Sequence, residues 1–131
     1  MKVAVTSAGE GLDAEVDPRF GRCNQFVVVD VDEMTAESFP NKSALATGGA
    51  GIQAAQTVAE LGVDVVLTGT VGPNAFQTLS VAGVRVMTGA RGTIGNAVKM
   101  FNNGELTETS APNVASHAGM GRGLGQGRGG R

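Results

Sequence analysis

The chain has 131 residues, 41% hydrophobic and 17% charged, with a formal net charge of −2. That length holds one ordinary domain and excludes two, and five Phe with no Trp or Tyr leave the core to Val, Ala, Leu and Ile, a composition suited to α/β layers. All 12 acidic residues precede Ser110, against 7 basic ones in the first 118 positions, so nucleic acid is not expected as a partner of the globular part.

Residues 2–6 (KVAVT) read as a first strand and residues 25–31 (QFVVVDV) as a second. Their apolar runs hardly alternate, as in strands buried on both faces. The connection between them, residues 7–24, is long for a hairpin, and structureless stretches of that length inside compact domains are often functional. A weaker third strand is expected over residues 37–39, just before Pro40 and therefore at or near a sheet edge. Beyond Pro40 the pattern alternates between helix and strand. A helix over 51–61, with Ile52, Ala55, Val58 and Ala59 on its inner face, ends at Gly62. A strand follows over 64–68. Gly72-Pro73-Asn74 opens a second helix with proline at its first position, Phe76 and Leu79 facing inward and Gly83 ending it. Residues 84–87 form a further strand, and Thr93 caps a last helix carrying Ile94, Ala97, Val98 and Phe101, closed by Asn103-Gly104.

This β-β-β-α-β-α-β-α order predicts an α/β fold with a mixed five-stranded sheet and helices on its faces, a ribonuclease H-like three-layer topology. The domain is expected over 1–108. Residues 109–131 form a tail with 7 Gly and 3 Arg among the last 13 positions, a composition that predicts disorder. No basic segment leads into an apolar one at the start, and no apolar run reaches membrane-spanning length. A cytoplasmic protein with no membrane partner is expected, and a single cysteine suits a reducing compartment.

Three segments could carry chemistry. The first is Asp17-Pro18-Arg19-Phe20-Gly21-Arg22-Cys23. Two guanidiniums match carboxylate, phosphate or other anionic oxygens, and a thiol beside them would have its pKa lowered toward the metal-binding thiolate. The alternative is that Phe20 anchors the loop, the arginines are solvated and Cys23 is a small buried hydrophobe. The second is Thr47-Gly48-Gly49-Ala50-Gly51-Ile52, a glycine-rich turn at a helix start, where backbone N–H groups favour anions. It satisfies G-x-G-x-x-A, but Pro40, Asn41 and Ser43 stand where a dinucleotide fold needs a strand, so that assignment is rejected. The third is Gly69 to Phe76, at the carboxyl end of a strand, where open α/β sheets bind ligands; it could share a cleft with the second. Thr88 to Thr93 makes an analogous junction, with Arg91 as a further anion contact.

Familiar catalytic sets are missing. His117 is the only histidine, so no Ser-His-Asp or Cys-His pair falls within the domain. No C-x-x-C or H-E-x-x-H spacing exists. Thr6 and Ser7 stand where a ribonuclease H-like nuclease would need an aspartate for Mg²⁺. Cys23, Met87, His117 and Met120 are scattered soft ligands without a motif.

Taken together, Lys2-Val3-Ala4-Val5, Arg19-Phe20-Gly21-Arg22-Cys23, Gly48-Gly49-Ala50-Gly51-Ile52, Gly62-Val63-Asp64-Val65-Val66 and Gly72-Pro73-Asn74-Ala75-Phe76 resemble the dinitrogenase iron–molybdenum cofactor biosynthesis family, of the NifX, NafY and NifB C-terminal type. The resemblance spans residues 1–108. It implies a ribonuclease H-like fold and a non-enzymatic carrier or storage role for an anionic iron–sulfur or molybdenum-containing cluster. The partners it implies are that cluster and cofactor-biosynthesis or acceptor proteins; no nitrogenase follows from it, because stand-alone members occur in organisms that do not fix nitrogen. Residues 19–22 match the family's FG-R loop, with Arg19 where many members carry histidine. On this basis the cofactor-binding residues are Arg19, Phe20, Gly21, Arg22, Cys23, Gly48, Gly49, Gly51, Gly72 and Asn74, with Cys23 and His117 as metal ligands. Two other readings stay open: an interaction or RNA-binding module using the Gly/Arg tail, and a binder of small phosphate ligands through the glycine turns.

Overall fold

Strands as uniformly apolar as KVAVTS and QFVVVD need cover on both faces of their sheet. The computed structural model, which describes residues 1–45 and 48–112, provides it. The elements run β1 (Lys2–Ser7), β2 (Gln25–Asp30), β3 (Thr35–Pro40), α1 (Ala50–Glu60), β4 (Val65–Thr68), α2 (Pro73–Val81), β5 (Arg85–Thr88), α3 (Ile94–Asn102) and β6 (Thr107–Glu108). They form one sheet in the order β3-β2-β1-β4-β5-β6. β1, β4 and β5 are parallel, while β2 is antiparallel to both β1 and β3 and β6 is antiparallel to β5.

One face of the sheet presents Ala4, Phe26, Val28, Val66 and Val86 to Ala54, Ala55 and Val58 of α1 and to Ala75 and Leu79 of α2. The other presents Val3, Val5, Val27, Val29, Val65, Leu67 and Met87 to Ile94, Ala97, Val98 and Met100 of α3. Each fully buried Val or Leu contributes about 1.5–3 kcal/mol relative to exposure, which is how a chain poor in aromatics sustains two cores. Met87 sits in the α3 core at 8% exposure, away from any ligand role.

The α/β class, the element order and three helices are as expected; the sheet has six strands rather than five. The added β6 is only two residues long, too short for any hydrophobic period. It exists because the Gly104 turn (φ 73°) returns the chain alongside β5, where Arg85 and Glu108 form an ion pair at 2.8 Å. Pairing continues one residue past the expected domain end, since Thr109 N donates to Val86 O at 2.8 Å. The tail expected to be disordered begins within this segment, and its residues from 113 onward lie outside the described residues. Ile52 differs too. Expected inward, it is 36% exposed, because the face of α1 that packs into the core is the one carrying Ala54, Ala55 and Val58, and Ile52 lies to the side of it. β3 lies at the sheet edge, as Pro40 requires. No helix among the described residues is long and apolar enough to cross a membrane.

Candidate functional site

The parallel strands β1 and β4 end on the same side of the sheet, and three chain segments close over those ends on the α1/α2 face. Pro18 O accepts hydrogen bonds from Thr70 N at 2.8 Å and Thr70 Oγ1 at 3.1 Å. The approach is so tight that a Cβ on Gly69 would lie 2.7 Å from Pro18 Cβ and 2.8 Å from its Cα. Gly21 lies against the start of α1, where a Cβ would come within 3.1 Å of Gly51 N and Cα, and Gly51 in turn faces Ala75 of α2. Glycine is used here for close backbone approach rather than for unusual dihedrals.

A buried amide fixes this junction from beneath. Asn41 Nδ2 donates to Gly21 O at 3.1 Å and Cys23 O at 2.8 Å, while its Oδ1 accepts from Ser43 N at 3.2 Å and Ser43 Oγ at 2.7 Å. Ser43 Oγ also lies 3.4 Å from Ala50 O, linking the end of β3 to the start of α1.

The result is a cleft of about 390 Å³ lined by residues 19–22, 49–52, 70 and 72–75. Of the ten expected cofactor-binding residues, Arg19, Phe20, Gly21, Arg22, Gly49, Gly51, Gly72 and Asn74 line it, whereas Cys23 and Gly48 do not. His117 lies outside the described residues. Thr70, Pro73 and Ala75 of the expected segment 69–76, and Ala50 and Ile52 of the expected turn 47–52, complete the wall, although none of them stood among the ten expected binding residues.

Two helices begin at this cleft without side-chain caps: α1 at Gly49 (φ 72°) and α2 at Gly72, with Pro73 at its first position. Their first N–H groups and the positive ends of their dipoles favour an anion. α3 is different. Ile94 N and Gly95 N donate to Ala14 O and Leu12 O, each at 2.9 Å, and Thr93 Oγ1 accepts from Asn96 N at 3.1 Å. The connection between β1 and β2 thus stops up the third helix start, and Arg91 there turns Nη1 back toward Gly89 O.

Among the described residues, neither carboxylate nor Cys, His or Met lines the cleft. Asp17 stands behind it, its Oδ2 3.0 Å from Arg19 Nη2. Burial pushes the Asp17 carboxyl up, but the hydrogen bonds and charge of Arg19 outweigh this and hold it below the ordinary carboxylate range. Arg22 donates Nη1 to Ala44 O at 3.1 Å. Cys23 is fully buried, with Sγ donating to Phe20 O at 3.3 Å. Burial pushes its thiol up to about 12, the reverse of the expected lowering, because the side chain points into the core while the arginines point out. Among the described residues no group of three His, Cys, Asp or Glu could hold a metal ion.

A family model described as dinitrogenase iron-molybdenum cofactor matches residues 1–104. The apo form of the orange protein from Desulfovibrio gigas superposes with a TM-score of 0.82 and 48% identity, covering 86% of this chain and 95% of that one. A Thermotoga protein described as of NifB type gives a TM-score of 0.71 at 36% identity over 82% of this chain and 91% of its own. An uncharacterised protein of Methanocaldococcus jannaschii is 27% identical over 109 residues, 81% of this chain and 89% of its own length. By the extent of these matches, the chain belongs to the dinitrogenase iron–molybdenum cofactor family.

Proposed function

We propose that the cleft binds and carries a preassembled anionic metal–sulfur cluster, iron–sulfur or molybdenum-containing, without catalysing a reaction on it. One observation carries this reading: two arginines and two uncapped helix starts face a single cleft that, among the described residues, is lined by no carboxylate and no metal-ligating side chain. Backbone N–H groups and guanidiniums hydrogen-bond to sulfide and oxo atoms and offset cluster charge. With no thiolate or imidazole among the described wall residues, the cargo keeps its own metal coordination complete and can leave intact. Family membership supports a cofactor-related accessory role. The order β3-β2-β1-β4-β5, with β2 alone reversed, supports a ribonuclease H-like assignment of the fold.

Anaerobic reconstitution with iron, sulfide and molybdate, followed by metal analysis and visible absorption, tests the proposal. Retained metal and a visible chromophore are expected in the wild type and in Cys23→Ser, with retention reduced in Arg19→Ala and Arg22→Ala. No retained metal in the wild type, or equal retention in both arginine variants, overturns it. Thermal stabilisation by phosphorylated metabolites with no retained metal would point instead to a small phosphate ligand.

A further inference from the structure

Arg19 reaches the cleft already engaged. Its backbone N and Nε donate to Asp17 Oδ1 at 2.9 and 3.1 Å, and Nη2 donates to Oδ2 at 3.0 Å. The carboxylate is withdrawn from solvent at 9% exposure, while the Arg19 side chain is 66% exposed. Asp17 itself is anchored to β1: its N donates to Thr6 O at 3.0 Å, and its carbonyl accepts from Thr6 Oγ1 at 2.6 Å. The guanidinium is therefore held on a fixed carboxylate that matches its charge, with only the N–H groups of Nη1 and the outer side of Nη2 left over.

We propose that Asp17 determines which anions the cleft accepts. The inference rests on the anion-binding reading above and goes beyond it. A small oxyanion is strongly hydrated and enters a protein site only where full charges and several strong donors replace its water. A metal–sulfide anion spreads its charge over large, weakly hydrated sulfur atoms and loses less on entry. By occupying the Nε–Nη2 edge of Arg19 and balancing its charge, Asp17 weakens the cleft as a donor, which costs the first class more than the second. It acts through Arg19 and is a positioning residue, not a contact of the cargo.

Molybdate and tetrathiomolybdate are the probes, since both are tetrahedral dianions and differ only in oxygen against sulfur. Binding of each is measured by equilibrium dialysis and metal analysis under anaerobic conditions. The wild type should prefer tetrathiomolybdate. Asp17→Asn frees Nη2 and a positive charge and should narrow that preference about tenfold, the worth of one charge-assisted hydrogen bond, mainly by tightening molybdate. Arg19→Gln unmasks the carboxylate and should shift the preference the opposite way, which keeps the test alive if Asp17→Asn fails to fold. A purely structural role for Asp17 would weaken both anions together, and that outcome overturns the proposal. Both anions bound with an unchanged ratio in the two variants overturns it while leaving the cleft reading intact. Neither anion bound by the wild type or either variant overturns both.

Discussion

Gly69→Ala tests whether the cleft depends on the contact between the β4–α2 turn and the 17–23 loop. A methyl at position 69 would sit 2.7 Å from Pro18 Cβ, 2.8 Å from its Cα and 3.0 Å from its O. Two of these three atoms belong to the backbone, so no side-chain rotation relieves the clash. The loop must lift, which stretches both hydrogen bonds from Thr70 to Pro18 O. Overpacking of this kind costs about 1–3 kcal/mol, and each weakened hydrogen bond adds about 0.5–1.5 kcal/mol. A total of roughly 2–6 kcal/mol corresponds, at about 4–6 °C per kcal/mol for a domain of this size, to a fall in Tm of about 8–36 °C. Circular dichroism melts of the wild type, Gly69→Ala and Gly48→Ala measure it. A methyl at position 48 would meet nothing within 4 Å, so that substitution should stay within about 0.5 kcal/mol of wild type. A Gly69→Ala melt indistinguishable from that of Gly48→Ala would refute the close-approach argument, and with it the claim that glycine spacing shapes the cleft.

Three further outcomes follow from the same geometry. Cys23 should resist thiol reagents in the native state, and its contribution to stability, fully present below its ordinary value of 9.0, should be lost as pH rises toward about 12; urea midpoints across that window should fall less steeply in Cys23→Ala. Asn41→Ala takes this donor from the Gly21 and Cys23 carbonyls and should cost about 2–3 kcal/mol by urea titration, with metal retention reduced because the 17–23 loop loses its link to Ser43 and α1. Thr93→Ala should cost about 1 kcal/mol through loss of the α3 cap yet leave metal retention unchanged, because that helix starts away from the cleft.

Much of this protein is local and therefore legible in the chain. Near-continuous Val and Ala runs determine β1, β2 and β4 as central strands, Pro40 places β3 at the edge, and Pro73, Thr93, Gly62, Gly83 and Gly104 mark helix ends, because caps and dihedral preferences act within a few residues. The glycine-rich turns and the two arginines identify most of the cleft for the same reason: each advertises its donors without reference to distant parts. The rest belongs to the tertiary structure. Whether Cys23 faces solvent or core is decided by the cluster it joins with Phe26 of β2 and the residues of α1 and α2, with its carbonyl held by Asn41, 18 positions away, and no spacing within residues 17–23 encodes it. Asp17 lies two residues from Arg19, but their pairing becomes a fixed feature of the cleft only once Thr6 anchors the loop to β1. Which helix starts stay open is also a long-range outcome, since the carbonyls of Leu12 and Ala14 close α3 and leave α1 and α2 to the cleft. Sequence determines which segments can offer charge and hydrogen bonds; packing decides which of those offers are already taken.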